Sequence, residues 1–560
     1  MFKKTDPNPQ LDIFTAPLMQ LGSRASKKYS APNAWYNQFY SLVTTKIDEE
    51  IFKPLFPEGK KSGRPNASIR ILVAMSALKE GFGCSDEDLF EKCEFDLLTR
   101  KALGMELLTD VTPSIDTYYL FRRRICEYQE RTGIDLMQLC FEQLAGNQVR
   151  LLKISGKCVR MDSKLIGSNI ARQSRYELIH TTLVKFLKTC TLSNLSPEQE
   201  ERAKEYLKED SSKTVYRSDS DTLQSNLARI GNFIMEMLAT FPATSPAHDL
   251  LQRLFDEQYA VKDGKAVLRD KKEVKADSLQ NPNDPDATDR AKNDQKVQGY
   301  VTNITETVEE GKPNIITSVQ VETAVFADCH FLQEAVENSE RVTDSTIEDL
   351  YADGAYQSPD NREFAKNHNA MQLKTGKMQG GCRWELIPHD EDGLTVREIA
   401  TGNTYEAVKA VTKQGSRKRW RIPWNNKTGW RYFEDKDIKA YQLRKQIESL
   451  PLEEQHKRNN VEAAMFQYSF HTRKGKTRYR GLLKHRMHAY SRCMWMNLRR
   501  MVIFQISTFQ RSIFALFGPI REAFGSFKAI SRKIFTSGAD CYVSLRMTTL
   551  ARLDSKYVPF

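Results

Sequence analysis

The chain has no Cys-x-x-Cys pair and no histidines at zinc-finger spacing; its ten cysteines stand singly at 84, 93, 126, 140, 158, 190, 329, 382, 493 and 541. That scatter excludes a structural zinc framework, and reduced, mostly buried thiols in a cytoplasm are expected. A run of about twenty apolar residues, the minimum for a membrane helix, is also missing. The nearest stretch, Met501–Phe517, is interrupted by Gln505, Gln510 and Arg511 and reads as a core helix. The opening MFKKTDPNPQ has no apolar signal core, and neither an internal repeat nor a low-complexity block occurs.

What is present is a 560-residue chain with 40% hydrophobic residues, long enough for more than one core. Its formal net charge of +12 points to an anionic partner, because clustered Lys and Arg gain affinity by releasing the counterions condensed on phosphates.

Hydrophobic periodicity divides the chain. Residues 1–150 read as helical, with the apolar run Ile69–Leu78, the segment Asp86–Lys92 and a basic helix around Tyr118–Ile125 carrying Arg122, Arg123 and Arg124. Lys157–Ser168 then alternates Val159, Met161 and Leu165 against Arg160, Asp162 and Lys164, the period of a strand. Asp162 therefore points away from the apolar face. Residues 171–280 return to helix, and Ser196-Pro197-Glu198-Gln199 forms an N-cap, N1 proline and capping box. Past the turn-rich Asn281–Asp286, strands are expected at Val297–Val308, Ile315–Phe326 and Ile347–Ala352. Residues 376–433 read as β with turns, and one long helix is expected over roughly 437–470, with a break at Pro451.

Three acids occupy positions from which a fold could converge them. Asp162 is mid-strand. Asp353 follows Leu350-Tyr351-Ala352 and precedes Gly354, where a strand end meets a turn. Glu462 flanks a helical stripe of Val461, Ala464, Met465 and Tyr468, with Arg458 one turn before it. Taken singly, each has an ordinary reading as a surface, turn or ion-paired acid. Together they fit a cation cradle, because clustered carboxylates repel one another unless a metal lies between them. Phosphodiester chemistry uses such cradles for two metal ions about 3.5–4 Å apart, and Mg²⁺ takes carboxylate oxygens.

After Glu462 no acidic residue occurs until Glu522, while Arg473, Lys474, Lys476, Arg478, Arg480, Lys484, Arg486, Arg492, Arg499 and Arg500 follow it. Tyr479, Tyr490, His471, His485 and His488 interleave with them, a mixture of cations and flat rings suited to nucleic acid. In the 376–433 segment, Lys413, Arg417, Lys418, Arg419 and Arg421 surround Trp420, with Trp424, Trp430 and Arg431 close behind. Either these tryptophans form the core of a small β unit, or one stacks on a base exposed near a cut.

In the order in which these motifs occur, the chain resembles bacterial insertion-sequence transposases of the DDE class over about residues 50 to 505. The resemblance is carried by Gly63-Arg64-Pro65 with Asp88-Leu89 and Phe121–Arg124, then Met161-Asp162-Ser163, Asp284-Pro285-Asp286-Ala287 with Gly299-Tyr300, and Ala352–Tyr356. Arg458–Glu462 and Arg478–Lys484 complete it. Gln455 and Ser469 stand where the related pattern has a tyrosine and a lysine around the glutamate.

The resemblance implies an α/β fold with an RNase H-like catalytic domain (151–170 and 281–375), interrupted by a helical insert (171–280) and a β insert (376–433). It further implies a helical N-terminal domain (1–150) binding DNA ends, a glutamate helix with basic helices (434–505) and a helical tail (506–560). The activity implied is metal-dependent strand cleavage at transposon ends and strand transfer to target DNA, with Asp162, Asp353 and Glu462 holding two Mg²⁺ ions, or Mn²⁺ in their place. The partners implied are double-stranded DNA and a second copy of the chain assembled on it, and the location is bacterial cytoplasm, associated with the nucleoid. Arg458, Arg473, Lys474, Lys476, Arg478, Arg480, Lys484, Arg419, Trp420, Arg421, Arg122, Arg123 and Arg124 are the expected DNA contacts. The rival readings are a metal-dependent nuclease of the RNase H-like superfamily and a DNA-binding remnant without catalysis.

Replacing both Arg478 and Arg480 with alanine is expected to flatten the salt dependence of DNA binding by about one to two units of log–log slope. Anisotropy titrations across a salt series check this, and an unchanged slope assigns them no phosphate contact.

Overall fold

The computed structural model describes residues 2, 21–56, 65–243, 245–292, 295–375, 382–389, 393–410, 419–424, 429–449, 451 and 461–532, with the backbone alone at 292, 295, 424, 446, 461 and 509–532. The N-terminal helices are α1 (Ser23–Tyr29), α2 (Trp35–Leu42), α3 (Ile69–Phe82), α4 (Asp86–Phe95), α5 (Leu97–Leu103), α6 (Ile115–Thr132) and α7 (Leu136–Leu152). Their starts follow local chemistry: Ser68, Ser85, Asp96, Ser114 and Asp135 each accept a backbone N–H of the first turn. Gly83, Gly104 and Gly133 end α3, α5 and α6 in the left-handed conformation.

β1 (Cys158–Gly167) opens the central sheet. Next come α8 (Arg175–Leu187), α9 (Pro197–Lys208), α10 (Ser211–Arg217), α11 (Ser220–Thr240) and α12 (Pro246–Gln258), with a hairpin of β2 (Tyr259–Lys262) and β3 (Lys265–Leu268). These helices enclose a core of their own around Ile179, Phe186, Phe233, Met237 and Leu254, as an inserted helical unit requires. The hairpin carries no strong alternation and was not expected from the sequence; it closes this core through Tyr259 and Ala266.

The sheet resumes with β4 (Thr288–Lys292), β5 (Gln295–Thr307) and β6 (Ile316–Thr323). It is completed, after α13 (Leu332–Thr343), by β7 (Asp349–Ala352) and, after α14 (Pro359–Asn367), by β8 (Gln372–Thr375). Its order is β4-β5-β1-β7-β8 with β6 also paired to β5. β4, β5 and β6 form an antiparallel group, β1 pairs antiparallel with β5, and β7 and β8 run parallel to β1. β4 and β8 are short and polar, which is why no apolar alternation announces them.

Alternation along β1 sends Val159 and Met161 to a core with Leu350, Ala352 and α13 residues Ala335 and Val336. The opposite face meets a larger core in which Ile166, Tyr300 and Ile304 join the N-terminal helices and two C-terminal ones, α16 (Val461–Ser469) and α17 (Leu482–Arg532). Trp495 of α17 lies in edge contact with Trp35 and Phe82, at ring-centre distances of 5.9 and 5.3 Å. Gly81 is glycine for the same reason, since a Cβ there would sit 2.3 Å from the Trp495 ring.

The β insert is an antiparallel five-stranded sheet of β9 (Trp384–His389), β10 (Gly393–Glu398), β11 (Thr404–Ala410), β12 (Arg419–Trp424) and β13 (Gly429–Glu434) in sequential order. α15 (Asp435–Glu448) covers one of its faces through Ile438. The helix expected over 437–470 with a break at Pro451 is α15 and α16, since proline cannot continue a helical hydrogen-bond ladder; residues 452–460 lie outside the described set.

On the face of β1 that carries Asp162, the buried Arg160 donates to Glu306 of β5 at 2.6 Å, and Arg500 of α17 reaches the other carboxylate oxygen at 2.7 Å. Glu306→Ala leaves two cations without their shared counterion, and it is expected to lower unfolding free energy by about 3–5 kcal/mol in urea titrations. A loss below about 1 kcal/mol would mean that water reaches the site.

Candidate active site

The parallel register of β1 on β7 sets Arg160 opposite Tyr351. Asp162 lies two residues farther along β1, and Asp353 directly follows Ala352, the last residue of β7. Each is half-buried, and each uses one oxygen locally: Asp162 Oδ1 accepts from Ser163 N at 2.8 Å, and Asp353 Oδ1 from Gly354 N at 2.7 Å. Asp353 thereby caps the short 3₁₀ turn Gly354–Tyr356.

That turn buries Tyr356 completely, and its hydroxyl donates to Asn303 Oδ1 at 2.7 Å. Asn303 lies opposite Ser163 in the β1–β5 register, so the ring passes beneath β1 from the end of β7 to β5. Burial first, and then the negative fields of Asp162, Asp328 and Asp353, push the Tyr356 phenol well above its ordinary value. The acids thus act on one buried group. Asp328 is itself buried and paired with Arg290 at 3.0 Å, and Asp349 with Lys374 at 2.9 Å.

Glu462 is exposed in the first turn of α16. The stripe expected beside it packs inward through Ala464, Met465 and Tyr468. Tyr468 shares a hydrogen bond of 3.1 Å with Thr302, which stands opposite Lys164 in the β1–β5 register. Lys164 shares its face with Asp162, so α16 lies over the face of β1 that carries Asp162. Glu462 is six residues from Tyr468, about 9 Å along the helix axis. Among the described residues no group of three or more His, Cys, Asp or Glu side chains is placed to hold a metal ion. The structure places Asp162 in β1 and Asp353 just past the end of the adjacent parallel strand β7, and packs the helix of Glu462 on β5 beside β1. Arg458 lies outside the described residues.

The basic segment after α16 has two parts. Arg473 and Lys474 are exposed in a tight turn, and Gly167 N donates to Gly475 O at 2.8 Å while Thr477 N donates to Gly167 O at 3.0 Å. The turn is therefore sewn to the end of β1. Lys476 donates to Ile170 O at 2.6 Å, Arg480 to Asn169 O at 2.7 Å, and Arg478 to Gly83 O at 2.5 Å and Cys84 O. Arg478 and Arg480 stay exposed while making these bonds, and Lys484 is exposed beside them.

Farther along, the expectation of a continuous cationic surface is corrected. Arg492 is buried, with its guanidinium on Glu80 O at 2.8 Å, and Arg486 pairs with Glu322 at 2.5 Å. The interleaved rings are corrected too, because Tyr479, His485, His488 and Tyr490 are all buried. Burial, then the neighbouring His488, pull His485 down to about 3, so it stays neutral, packed on Tyr300 at 4.1 Å.

Of the α6 arginines, Arg123 is exposed and pairs with Glu127 at 3.5 Å. Arg124 lies over Phe56, and Arg122 turns inward over the Tyr118 and Tyr479 rings at 5.4 and 5.2 Å. A cleft of about 890 Å³ runs here between α4, α6 and the start of α17, lined by Lys79, Asp86, Tyr119, Arg122, Arg478 and Lys484. In the β insert, Trp420 is buried with Trp384 and Phe433 and cannot stack on a base, whereas Trp430 is exposed, with Arg421 over it at 4.2 Å. Arg419 lies over Tyr432 at 4.6 Å on the same outer face. Lys413, Arg417 and Lys418 are outside the described residues, as is the Trp424 side chain.

Three acids with structural roles were not among the expected site residues. Asp284 is fully buried, accepting from Tyr300 Oη at 2.5 Å and from Ser168 Oγ, and Asp286 accepts from Leu482 N at 3.2 Å. The Asp-Pro-Asp turn is thus a clasp between β1, β5 and α17. Glu80 of α3 accepts from His488 at 2.7 Å and from the Tyr479 hydroxyl. It lies in the last turn of α3 beside Lys79, where no spacing marks it.

With this geometry in place, comparison with known families gives one match: residues 28–124, from α1 into α6, fit the family model described as Transposase domain (DUF772). No curated protein and no solved structure matches the chain. Among the described residues no helix is long and apolar enough to cross a membrane.

Burial works to raise the Glu80 pKa, but His488, Lys79 and Tyr479 outweigh it and hold it at about 2, below the ordinary 4.5. A depressed carboxylate contributes stability that is complete above 4.5 and lost as pH falls towards 2. Thermal melts of Glu80→Gln should therefore fall less steeply than wild type over that window, and parallel curves would refute the coupling.

Proposed function

We propose that the chain is a DNA transposase that cuts strands at transposon ends and joins them to target DNA. The observation that carries this reading is the match of residues 28–124 to a transposase domain, in a chain whose adjacent parallel strands β1 and β7 carry Asp162 and lead into Asp353. The sheet order, with an antiparallel group followed by two strands parallel to β1, supports an RNase H-like arrangement.

The donor type suits a hard divalent ion, since Asp162 and Asp353 both offer carboxylate oxygens and both lie near enough to Tyr356 for their charge to act on it. Asp162, Asp353 and Glu462 would hold Mg²⁺, or Mn²⁺ in its place, as two ions. When bound, such ions activate the attacking oxygen and stabilise the leaving one. The chain's own residues do the positioning. Asp353 is fixed by its cap on Gly354, Asp162 by the centre of the sheet, and Glu462 rides on a helix anchored through Tyr468.

DNA is held in this reading by charge on two sides. Arg473 and Lys474 project at the end of β1, while Arg123, Arg478 and Lys484 border the cleft beside the transposase-domain helices. The outer face of the β insert, with Trp430 and Arg421, would lie along the transposon end. A second copy on the other end completes the assembly.

Asp353→Asn removes a ligand charge without touching a phosphate contact. It is expected to abolish Mg²⁺-dependent cleavage of labelled transposon-end DNA while changing DNA affinity by less than about threefold, well below the loss of one charge-assisted hydrogen bond. Normal cutting by this variant would reassign the site to another acid.

A further inference from the structure

α16 has two contrasting sides. Ala464, Met465 and Tyr468 are buried, whereas Glu462 and Phe466, one helical turn apart, are exposed, and Phe470 continues their line just past the helix end. Phe466 is 64% exposed and Phe470 44%. Their rings stand 5.9 Å apart at 70°, and Phe470 meets His471 at 5.1 Å and 82°. His471 is in turn fixed to Gly81 O of α3 at 3.0 Å. The row is thus held from the transposase-domain side.

Scattered exposed apolar residues are ordinary, but adjacent bare phenyl rings beside a candidate ligand mark a contact surface. The charge around them selects the occupant. From 463 to 521 the sequence has no acid, and Arg473 and Lys474 are exposed in the next turn. A second copy with a net charge of +12 would meet that segment with like charge. A nucleotide presents a flat face to the rings and a phosphate to the cations.

We propose that Phe466, backed by Phe470, is a stacking platform for an unpaired nucleobase at a DNA end, next to Glu462. The proposal rests on the reading of the chain as a DNA-processing enzyme.

The test uses the full chain in EDTA, so that no cleavage occurs, with two duplexes of the same sequence, one blunt and one ending in a single unpaired 2-aminopurine nucleotide. Wild type should bind the unpaired end at least about fivefold more tightly and quench its fluorescence. Phe466→Ala and Phe470→Ala should lose that preference while keeping blunt-duplex affinity and melting temperature, and Phe466→Trp should retain it. Equal wild-type affinity for the two duplexes overturns the platform but leaves DNA binding standing, whereas binding to neither overturns both. A preference that survives in Phe466→Ala also overturns it, as does a change in the oligomeric state of Phe466→Ala without DNA, which would give the surface to a second copy.

Discussion

The Glu306 carboxylate is the point on which the central sheet and its packing turn. It is completely buried on β5, takes Arg160 from β1 with one oxygen and Arg500 from α17 with the other, and so ties the two central strands to the longest helix. A buried ion pair is a poor source of net stability but a strict one of geometry, because any shift in register strands a charge away from water. Here the register matters directly. Arg160 is two residues before Asp162 on the same face, and its partner across β7 is two residues before Asp353. A slip of one residue would turn Asp162 to the opposite face.

Around that sheet the two inserts keep to themselves. The helical insert and the β insert each close a separate hydrophobic core, so their growth disturbs neither β1 nor β7. Their contribution is surface. The β insert shows this in its tryptophans: alternation assigns Trp420 to the core and Trp430 to the outside, with Arg421 laid across the exposed ring.

Where a single period dominates, the sequence is readable. β1, β5, the capped N-terminal helices and the buried stripe beside Glu462 all follow from apolar spacing and cap residues. β4, β8 and the β2–β3 hairpin do not, because strands of four or five residues are too short to establish a period. Charge was the harder signal. A run of cations without acids reads as one surface, yet Arg492 and Arg486 are spent on partners at 80 and 322, contacts that only the fold creates. The strands that carry Asp162 and lead into Asp353 were legible one by one, but their adjacency depends on a parallel pairing across nearly two hundred positions of sequence.

The seating of Trp495 against Gly81, Phe82 and Trp35 bears on how the gene product can be divided. The stretch that a family model delimits as a domain ends at residue 124, but the wall that closes its interior is supplied by α17, more than three hundred residues later. An isolated 28–124 fragment would leave α3 bare along the side that Trp495 covers. On a ribosome the N-terminal helices must wait for nearly the whole chain before their core can close. Homology units and folding units therefore do not coincide in this protein, and a truncation drawn at the homology boundary cuts through a core instead of between two.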